Sequence, residues 1–145
     1  MRTLSKSIIK NISLKPSLNF LSIKKNNVWK SYTLSDLYSK ICYSRTLLED
    51  KNIKKGDRVA YKGCNSLEWI SWNLATNSLG AVWVPMYDNQ NIDYCKYIIN
   101  DCKPKIFITD DLSLDINVSK MDNSIDHNND DTNKEIDFIN SELAT

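Results

Sequence analysis

The chain has 145 residues, of which 41% are hydrophobic, so it is long enough to form one domain with its own core. Lys and Arg (19) nearly balance Asp and Glu (18), and the formal net charge of +1 gives no overall field that would hold nucleic acid. The longest apolar run, 81–87, contains Pro85 and falls far short of the roughly 20 residues that cross a bilayer. These properties exclude a transmembrane segment and disfavour a nucleic-acid-binding module.

The charge is distributed unevenly along the chain. Residues 1–35 hold seven basic and no acidic side chains, whereas residues 111–145 hold nine acidic and two basic ones. The near-zero total is therefore a cancellation between the two ends.

The first segment, 1–15, places apolar side chains at four-residue spacing, with basic side chains on the opposite helical face. We predict an amphipathic helix. A surface helix of a cytoplasmic protein is favoured, and an organellar targeting segment is the alternative. The positions concerned are Leu4, Ile8 and Ile12 on the apolar face, and Arg2, Lys6 and Lys10 on the basic face.

A β-hairpin and a helix are predicted next. Residues 19–23 and 28–33 alternate apolar and polar side chains across Asn26 and Asn27, which tolerate positive φ in a turn. Residues 33–36 (TLSD) fit a capping box that begins a helix. The stripe expected to face the core consists of Leu34, Leu37, Ile41 and Leu48.

The centre of the chain alternates strands and helices. Two of the strands are apolar throughout, as is typical of a parallel sheet covered on both faces. Ser66 is a good N-cap for the first helix, and Gly80 is placed to end it. The fold class is therefore α/β, with βαβ units of a partial parallel sheet and flanking helices. The predicted strands span 58–61, 81–86 and 106–109, and the predicted helices span 67–79 and 91–102.

From residue 111 onward the composition becomes acidic and rich in Asn and Ser. Such a segment lacks the apolar surface that offsets chain entropy. We predict that 111–145 is mostly disordered, with a short helix at most over 137–143, and that removal of 112–145 changes stability little. Three parts follow: a basic segment 1–15, a folded part 16–110 and an acidic tail 111–145.

No phosphate-binding loop is recognisable. The chain has three glycines and neither of the glycine-rich patterns that cradle phosphates at a helix N-terminus. Residues 63–66 (GCNS), where a helix is predicted to begin, are a weak substitute, and capping is the role expected of Ser66. We assign no catalytic, cofactor-binding or metal-ligating residue in this chain.

Other reactive or aromatic residues are interpreted as structural. The four cysteines form no C-x-x-C pair and have no nearby histidine, so reduced core thiols are expected. The single histidine, His127, lies in a solvated acidic tract, and Glu49 and Asp50 are read as surface charge. An aromatic group could line an acyl pocket, but core packing is favoured. The cysteines are Cys42, Cys64, Cys95 and Cys102, and the aromatic group is Trp69, Trp72, Trp83 and Tyr87.

Five strings between residues 30 and 110 resemble the adenylate-forming acyl-CoA synthetases, especially the long-chain fatty acid CoA ligases, in their order and spacing. The strings are 32–37 (YTLSDL), 53–60 (IKKGDRVA), 65–70 (NSLEWI), 79–87 (LGAVWVPMY) and 97–105 (YIINDCKPK).

The resemblance implies activation of a fatty acid or other carboxylic acid with ATP and Mg²⁺, followed by thioester formation with coenzyme A. The family's phosphate loop, acidic Mg²⁺ motif and adenylation lysine lie further along such chains. We therefore expect an N-terminal fragment that is inactive alone. The alternatives are a noncatalytic remnant that binds a protein partner through an uncovered sheet edge, and an independent nucleotide-binding module.

Overall fold

A computed structural model describes the backbone of residues 4–124 and the side chains of residues 6–124. It is an α/β structure with two sheets. The helices are α1 (Leu4–Leu14), α2 (Leu34–Asp50), α3 (Leu67–Ser78) and α4 (Ile92–Cys102). The strands are β1 (Asn19–Lys25), β2 (Val28–Thr33), β3 (Arg58–Lys62), β4 (Val82–Met86), β5 (Ile106–Thr109) and β6 (Lys120–Asp122).

The N-terminal elements confirm the predicted hairpin and cap. β1 and β2 pair antiparallel, and Asn26 and Asn27 both have positive φ, 50° and 61°, as a type I′ turn requires. The Thr33 hydroxyl oxygen accepts a hydrogen bond from the Asp36 amide, and the Asp36 carboxylate accepts one from the Thr33 amide. This reciprocal pair begins α2 at the expected residue.

Helix α1 packs on α2 and α3 through Ile9 and Ile12, which are buried. The four-residue spacing predicts that Ile8 and Ile12 are the buried pair, yet Ile8 is only partly buried. The helix has therefore turned by about one residue from the predicted face. Its apolar side is part of the main core.

The larger sheet is parallel throughout, with strand order β4-β3-β5-β6. Helix α3 connects β3 to β4 on one side, and α4 carries the chain back across β3 to β5. The two helices cover opposite faces, because α3 contributes to one buried cluster and α4 to the other. This arrangement confirms the predicted βαβ units and places β3 and β5 at the centre.

Two hydrophobic clusters lie on the two faces of this sheet. The larger joins α1, α2 and α3 to the sheet, and the smaller lies under α4. The larger cluster includes Leu37, Ile41, Leu48, Val59, Tyr61, Trp72, Ile106 and Ile108. The smaller consists of Ala60, Met86, Cys95, Ile99, Phe107 and Ile116. Within residues 4–124 no helix is long and apolar enough to span a bilayer.

Strand β4 lies at the edge of the sheet. The prediction that it is buried on both faces is wrong. The only neighbour of β4 within the described part of the chain is β3, and Val82 is 48% exposed. Pro85, which cannot donate to a ladder, is tolerated at such an edge. The spacing of Ile92, Cys95 and Ile99 predicts one buried face for α4, but only Cys95 and Ile99 are buried and Ile92 is exposed.

Residues 111–124 are part of the fold, contrary to the prediction of disorder from residue 111. β6 pairs parallel with β5, and Ile116 is buried in the cluster under α4. The Trp72 indole donates to the Asn123 carbonyl oxygen at 3.2 Å. Tertiary pairing with a buried strand outweighs the polar composition of this segment. Residues 125–145, including the helix predicted over 137–143, lie outside the described residues.

Candidate functional site

The topology places the candidate site at one end of the parallel sheet, the edge formed by the carboxyl ends of its strands. In open α/β sheets, ligands bind beyond the carboxyl ends of the strands, where successive connections leave in opposite directions. Here that point lies between β3 and β5, because the chain goes from β3 to one side and later returns to the other. The loops after Lys62 and Thr109 therefore form the candidate site, flanked by the ends of β4 and β6.

The side chains at this edge are tied to one another. Lys62 Nζ donates to the Asp88 carbonyl oxygen, and the Cys64 thiol donates to the Asp88 carboxylate at 2.9 Å. The Asn123 amide nitrogen donates to the Asp110 carboxylate at 2.7 Å. These bonds link the end of β3 to that of β4 and, separately, the end of β5 to that of β6.

Tyr61 lies beneath this edge and explains the glycine that follows β3. Its side chain is fully buried, and a Cβ at Gly63 would lie 2.7 Å from the Tyr61 hydroxyl oxygen. Burial raises the pKa of Tyr61 to about 12, and the negative charge of Asp110 adds to this shift. Tyr61 is therefore neutral at physiological pH, and Gly63 is needed to make room for its ring.

The segment 63–66 caps a helix, as the sequence analysis expected for Ser66. The Ser66 hydroxyl oxygen accepts a hydrogen bond from the Trp69 amide at 3.1 Å. Glu68 occupies the first turn of α3 and pairs with Lys40 at 3.1 Å. A carboxylate next to the free amides disfavours a phosphate there.

The cysteines are all free thiols, but they are not all core residues as predicted. Cys95 is buried, whereas Cys64 is exposed at the candidate site. The hydrogen bond to the Asp88 carboxylate raises the pKa of the Cys64 thiol. A thiol held protonated beside a carboxylate is a poor nucleophile.

Most of the aromatic group packs in the core, which is the role that the sequence favours over an acyl pocket. Trp72 is fully buried, and Trp69 meets Trp83 edge to face with centroids 5.9 Å apart. Trp83 also lies 5.1 Å from the ring of Tyr61. Tyr87 is separate from this group and is 78% exposed. The three tryptophans therefore pack in or against the core, and Tyr87 is not part of that packing.

Carboxylates outnumber lysines at the carboxyl ends of these strands. Lys62 is bonded to the Asp88 carbonyl oxygen and Lys40 is paired with Glu68, and an excess of carboxylates disfavours an anionic phosphate. Among residues 4–124 no three metal-ligating side chains come together. The carboxylates concerned are Glu68, Asp88, Asp110, Asp111 and Asp122.

Two further predictions concern charged residues. Glu49 accepts a hydrogen bond from Arg45 at 3.0 Å on the surface of α2, and Asp50 is exposed, so the interpretation as surface charge is confirmed. His127 lies outside the described residues.

The polar residues that meet at the strand ends were not predicted from the sequence. Asp88, Asp110 and Asn123 each follow a strand by one or two residues, and that position was the available signal. β6 was also missed, although Leu114, Ile116 and Val118 recur at every second residue just before it, a spacing typical of extended chain.

Comparison with known proteins gives the chain a family. The sequence model of the AMP-binding enzymes matches residues 14–143, a longer stretch than the strings between 30 and 110. An acetyl-coenzyme A synthetase of Bradyrhizobium diazoefficiens is 32% identical over 82 residues, which is 57% of this chain and 13% of that protein. A long-chain-fatty-acid–CoA ligase of Mycobacterium tuberculosis is 22% identical over 100 residues, 69% of this chain and 17% of the ligase.

Solved structures share the fold. A fatty acyl-adenylate ligase of Legionella pneumophila superposes with a TM-score of 0.75 at 18% identity, covering 90% of this chain and 24% of the ligase. The N-terminal subdomain of NpsA from Klebsiella oxytoca gives a TM-score of 0.74 at 20% identity, covering 85% of this chain and 30% of that one. The chain spans a minor part of each relative. With a family match that runs through nearly all of its length, it belongs to the AMP-binding enzyme family.

Proposed function

We propose that the chain is the N-terminal part of an AMP-forming acyl-CoA synthetase. The reaction of the whole enzyme converts a carboxylic acid, ATP and coenzyme A into acyl-CoA, AMP and pyrophosphate. A fatty acid is the favoured substrate class. The family match over residues 14–143 carries this proposal, and one relative is a long-chain-fatty-acid–CoA ligase.

The 145-residue chain alone is proposed to be inactive. Acyl-adenylate formation needs groups that hold the phosphates and neutralise the charge that develops on them. In residues 4–124 the edge that a ligand would use carries mostly carboxylates, its lysine is bonded to Asp88, and its tyrosine is neutral. ATP, Mg²⁺ and coenzyme A would then be bound by other parts of a longer protein.

ATP–pyrophosphate exchange tests both statements. The purified chain and a longer in-frame product, if the transcript encodes one, are assayed with short- and long-chain acids and Mg²⁺. We expect exchange from the longer product and none from the chain above a heat-inactivated sample. Exchange by the chain alone, free of host synthetase, would contradict the inactivity. A longer product without exchange for any acid would contradict the enzyme assignment.

A noncatalytic interaction protein is the alternative function, and the open edge of β4 favours it. An edge strand presents unpaired backbone groups that another strand can join, and Val82 is exposed there. Co-purification with a full-length synthetase from the same organism, lost in Val82→Lys but kept in the surface variant Lys51→Gln, would support this role, because a charged side chain on an edge strand opposes association. No association with that synthetase would exclude it.

We propose a cytoplasmic location, with an organellar one as the alternative. Ile9 and Ile12 of α1 are buried in the core, so the apolar face of this helix already has a role in the fold. Residues 1–25 fused to a fluorescent reporter test this. Diffuse cytosolic signal is expected, and import into an organelle would overturn it.

A further inference from the structure

The end of the β1–β2 hairpin, which we call the hairpin tip (residues 24–30), stands apart from the core. Every residue of the tip is exposed, including two apolar ones, Val28 at 67% and Trp29 at 66%. The base of the same hairpin is anchored, because Phe20, Leu21 and Tyr32 pack against the main core. The tip therefore presents apolar side chains to solvent from a fixed base.

The tip is also strongly basic. Lys24, Lys25 and Lys30 lie within it, and residues 1–35 contain no acidic side chain. Lys24 lies opposite Trp29 in the strand register, with its ammonium 6.0 Å from the indole ring centre. Lysine and tryptophan thus share one side of the tip. The small net charge of the whole chain conceals this local concentration.

The backbone of the tip is preorganised. Asn26 and Asn27 form a two-residue turn at positive φ, the connection whose twist matches that of the strands. Lys25 pairs with Val28 directly before and after this turn, and the Ser22 and Ser31 hydroxyls are 2.9 Å apart across the strands. Little conformational entropy is lost when such a tip binds a surface.

We propose that the hairpin tip binds the surface of a bilayer that contains anionic lipids. Trp29 and Val28 enter the interfacial layer, and Lys24, Lys25 and Lys30 contact the lipid headgroups. Tryptophan favours this interface because its ring is apolar and its N–H can remain hydrated. Lysine stems can lie along the apolar surface while the ammonium groups reach phosphate. The proposal does not depend on the enzymatic activity.

Charge and shape favour lipid over nucleic acid as the partner. Nucleic-acid binding requires basic groups spread along a face that follows the phosphates, usually with side chains that stack on bases. Here the basic groups are confined to the end of a two-stranded ribbon, and Val28 lies at that end. Val28 and Trp29 are each paired across the strands with a lysine, Lys25 and Lys24. Apolar side chains beside lysines suit a layer of anionic headgroups over acyl chains.

Vesicle co-sedimentation tests the proposal with the full 145-residue chain. The vesicles are phosphatidylcholine alone, or phosphatidylcholine with about 30% phosphatidylserine. Each lysine near such a surface contributes roughly fivefold to partitioning, so K24Q/K25Q/K30Q should weaken binding to the anionic vesicles roughly 100-fold. Trp29→Ala should weaken it several-fold, and salt should reduce the binding of the unchanged protein.

The matched control removes the same charge elsewhere. Lys51, Lys54 and Lys55 are exposed in the turn after α2, and K51Q/K54Q/K55Q should bind like the unchanged protein. Equal loss in the control and tip variants would overturn the proposal, as would equal binding to both kinds of vesicle or to neither. The melting temperatures of all variants are compared, and they should agree because the substituted side chains are exposed.

A second measurement locates the tip in the bilayer. With brominated acyl chains in the anionic vesicles, the fluorescence of the unchanged chain should be quenched, and most of this quenching should disappear in Trp29→Phe. Quenching that persists in Trp29→Phe would mean that another tryptophan meets the membrane, and would overturn the proposal. Tight binding of a DNA duplex that is lost in the tip variants, without binding to vesicles, would assign the tip to nucleic acid instead.

Discussion

Strands β3 and β4 are neighbours of equal length in the same parallel sheet, yet their environments differ. Val59, Ala60 and Tyr61 in β3 are fully buried. In β4, Val82 and Pro85 are exposed and Trp83 and Val84 only partly buried. The more continuously apolar strand is therefore the more exposed one. Topology decides this, because β4 has a neighbour on one side only.

The contrast shows where the described part of the chain is closed and where it is open. On the far side of β3, β5 is fully buried and followed by β6. On the near side, β4 offers an apolar surface with unpaired backbone groups. Proline at position 85 limits pairing at that edge.

Removal of β6 should have the largest effect, because it turns β5 into an edge strand as well. A chain truncated after Asp110 loses Ile116 from the core and the bond from Trp72 to the Asn123 carbonyl. We expect it to be unfolded or strongly destabilised, in contrast to the small effect predicted from composition alone. Circular dichroism on heating measures this.

Truncation after Ser124 is the control, since it keeps all described contacts. If the chain that ends at Asp110 melts at the same temperature as this control, β6 contributes nothing and the comparison of central with edge strands fails.

The same substitution in the two strands tests the contrast directly. Val59→Ala should cost about 2 kcal/mol, because it leaves a cavity in a closed core, whereas Val82→Ala should cost less than about 0.5 kcal/mol. Urea unfolding gives both values. A similar loss in the free energy of unfolding at the two positions would show that the burial of β3 and the exposure of β4 do not affect stability.

Gly63→Ala should be destabilising by roughly 1–3 kcal/mol, because the added methyl group meets the buried Tyr61 hydroxyl. Tyr61→Phe alone should be neutral or slightly stabilising, since that hydroxyl is buried without a hydrogen-bond partner. In the double variant, part of the cost of Gly63→Ala should be recovered. Additive effects in this double-mutant cycle would argue against the contact.

The smallest effect is expected where β3 and β5 begin. The Lys105 ammonium, 2.9 Å away, lowers the pKa of Asp57. A lowered folded-state pKa stabilises the protein above the unfolded value, near 3.8, and this contribution disappears as pH falls through the folded value. Stability should therefore decline below about pH 4 more in the unchanged protein than in Asp57→Asn. Urea midpoints at pH 3 to 7 measure this. If the midpoints of the two proteins change with pH in parallel, the Asp57–Lys105 pair does not contribute to stability.

Local signals predicted much of the fold. The hairpin turn at Asn26 and Asn27, the capping box of α2 and the bounds of β5 all follow from short-range chemistry and hydrophobic spacing. Which strands lie at the edge depends on chain connections, so the exposure of Val82 was not visible in an apolar run. β6 is three residues long and polar at Lys120 and Asp122, and it forms only because β5 offers it a partner.

The candidate site was hardly predictable. Asp88, Asp110 and Asn123 come from three separate loops, and only the sheet order brings them to one edge. Ser66, by contrast, was recognised correctly because capping is a local property.

The bond between the Trp72 indole and Asn123 spans 51 residues of sequence, and it sets an order of events during synthesis. At about 5–20 residues per second, roughly 3–10 seconds pass between the two residues leaving the peptidyl-transferase centre. For that interval α3 carries a large indole whose partner does not yet exist. The indole N–H therefore has no folded-state partner until Asn123 has been added, although the residues that bury the ring in the main cluster are mostly synthesised earlier.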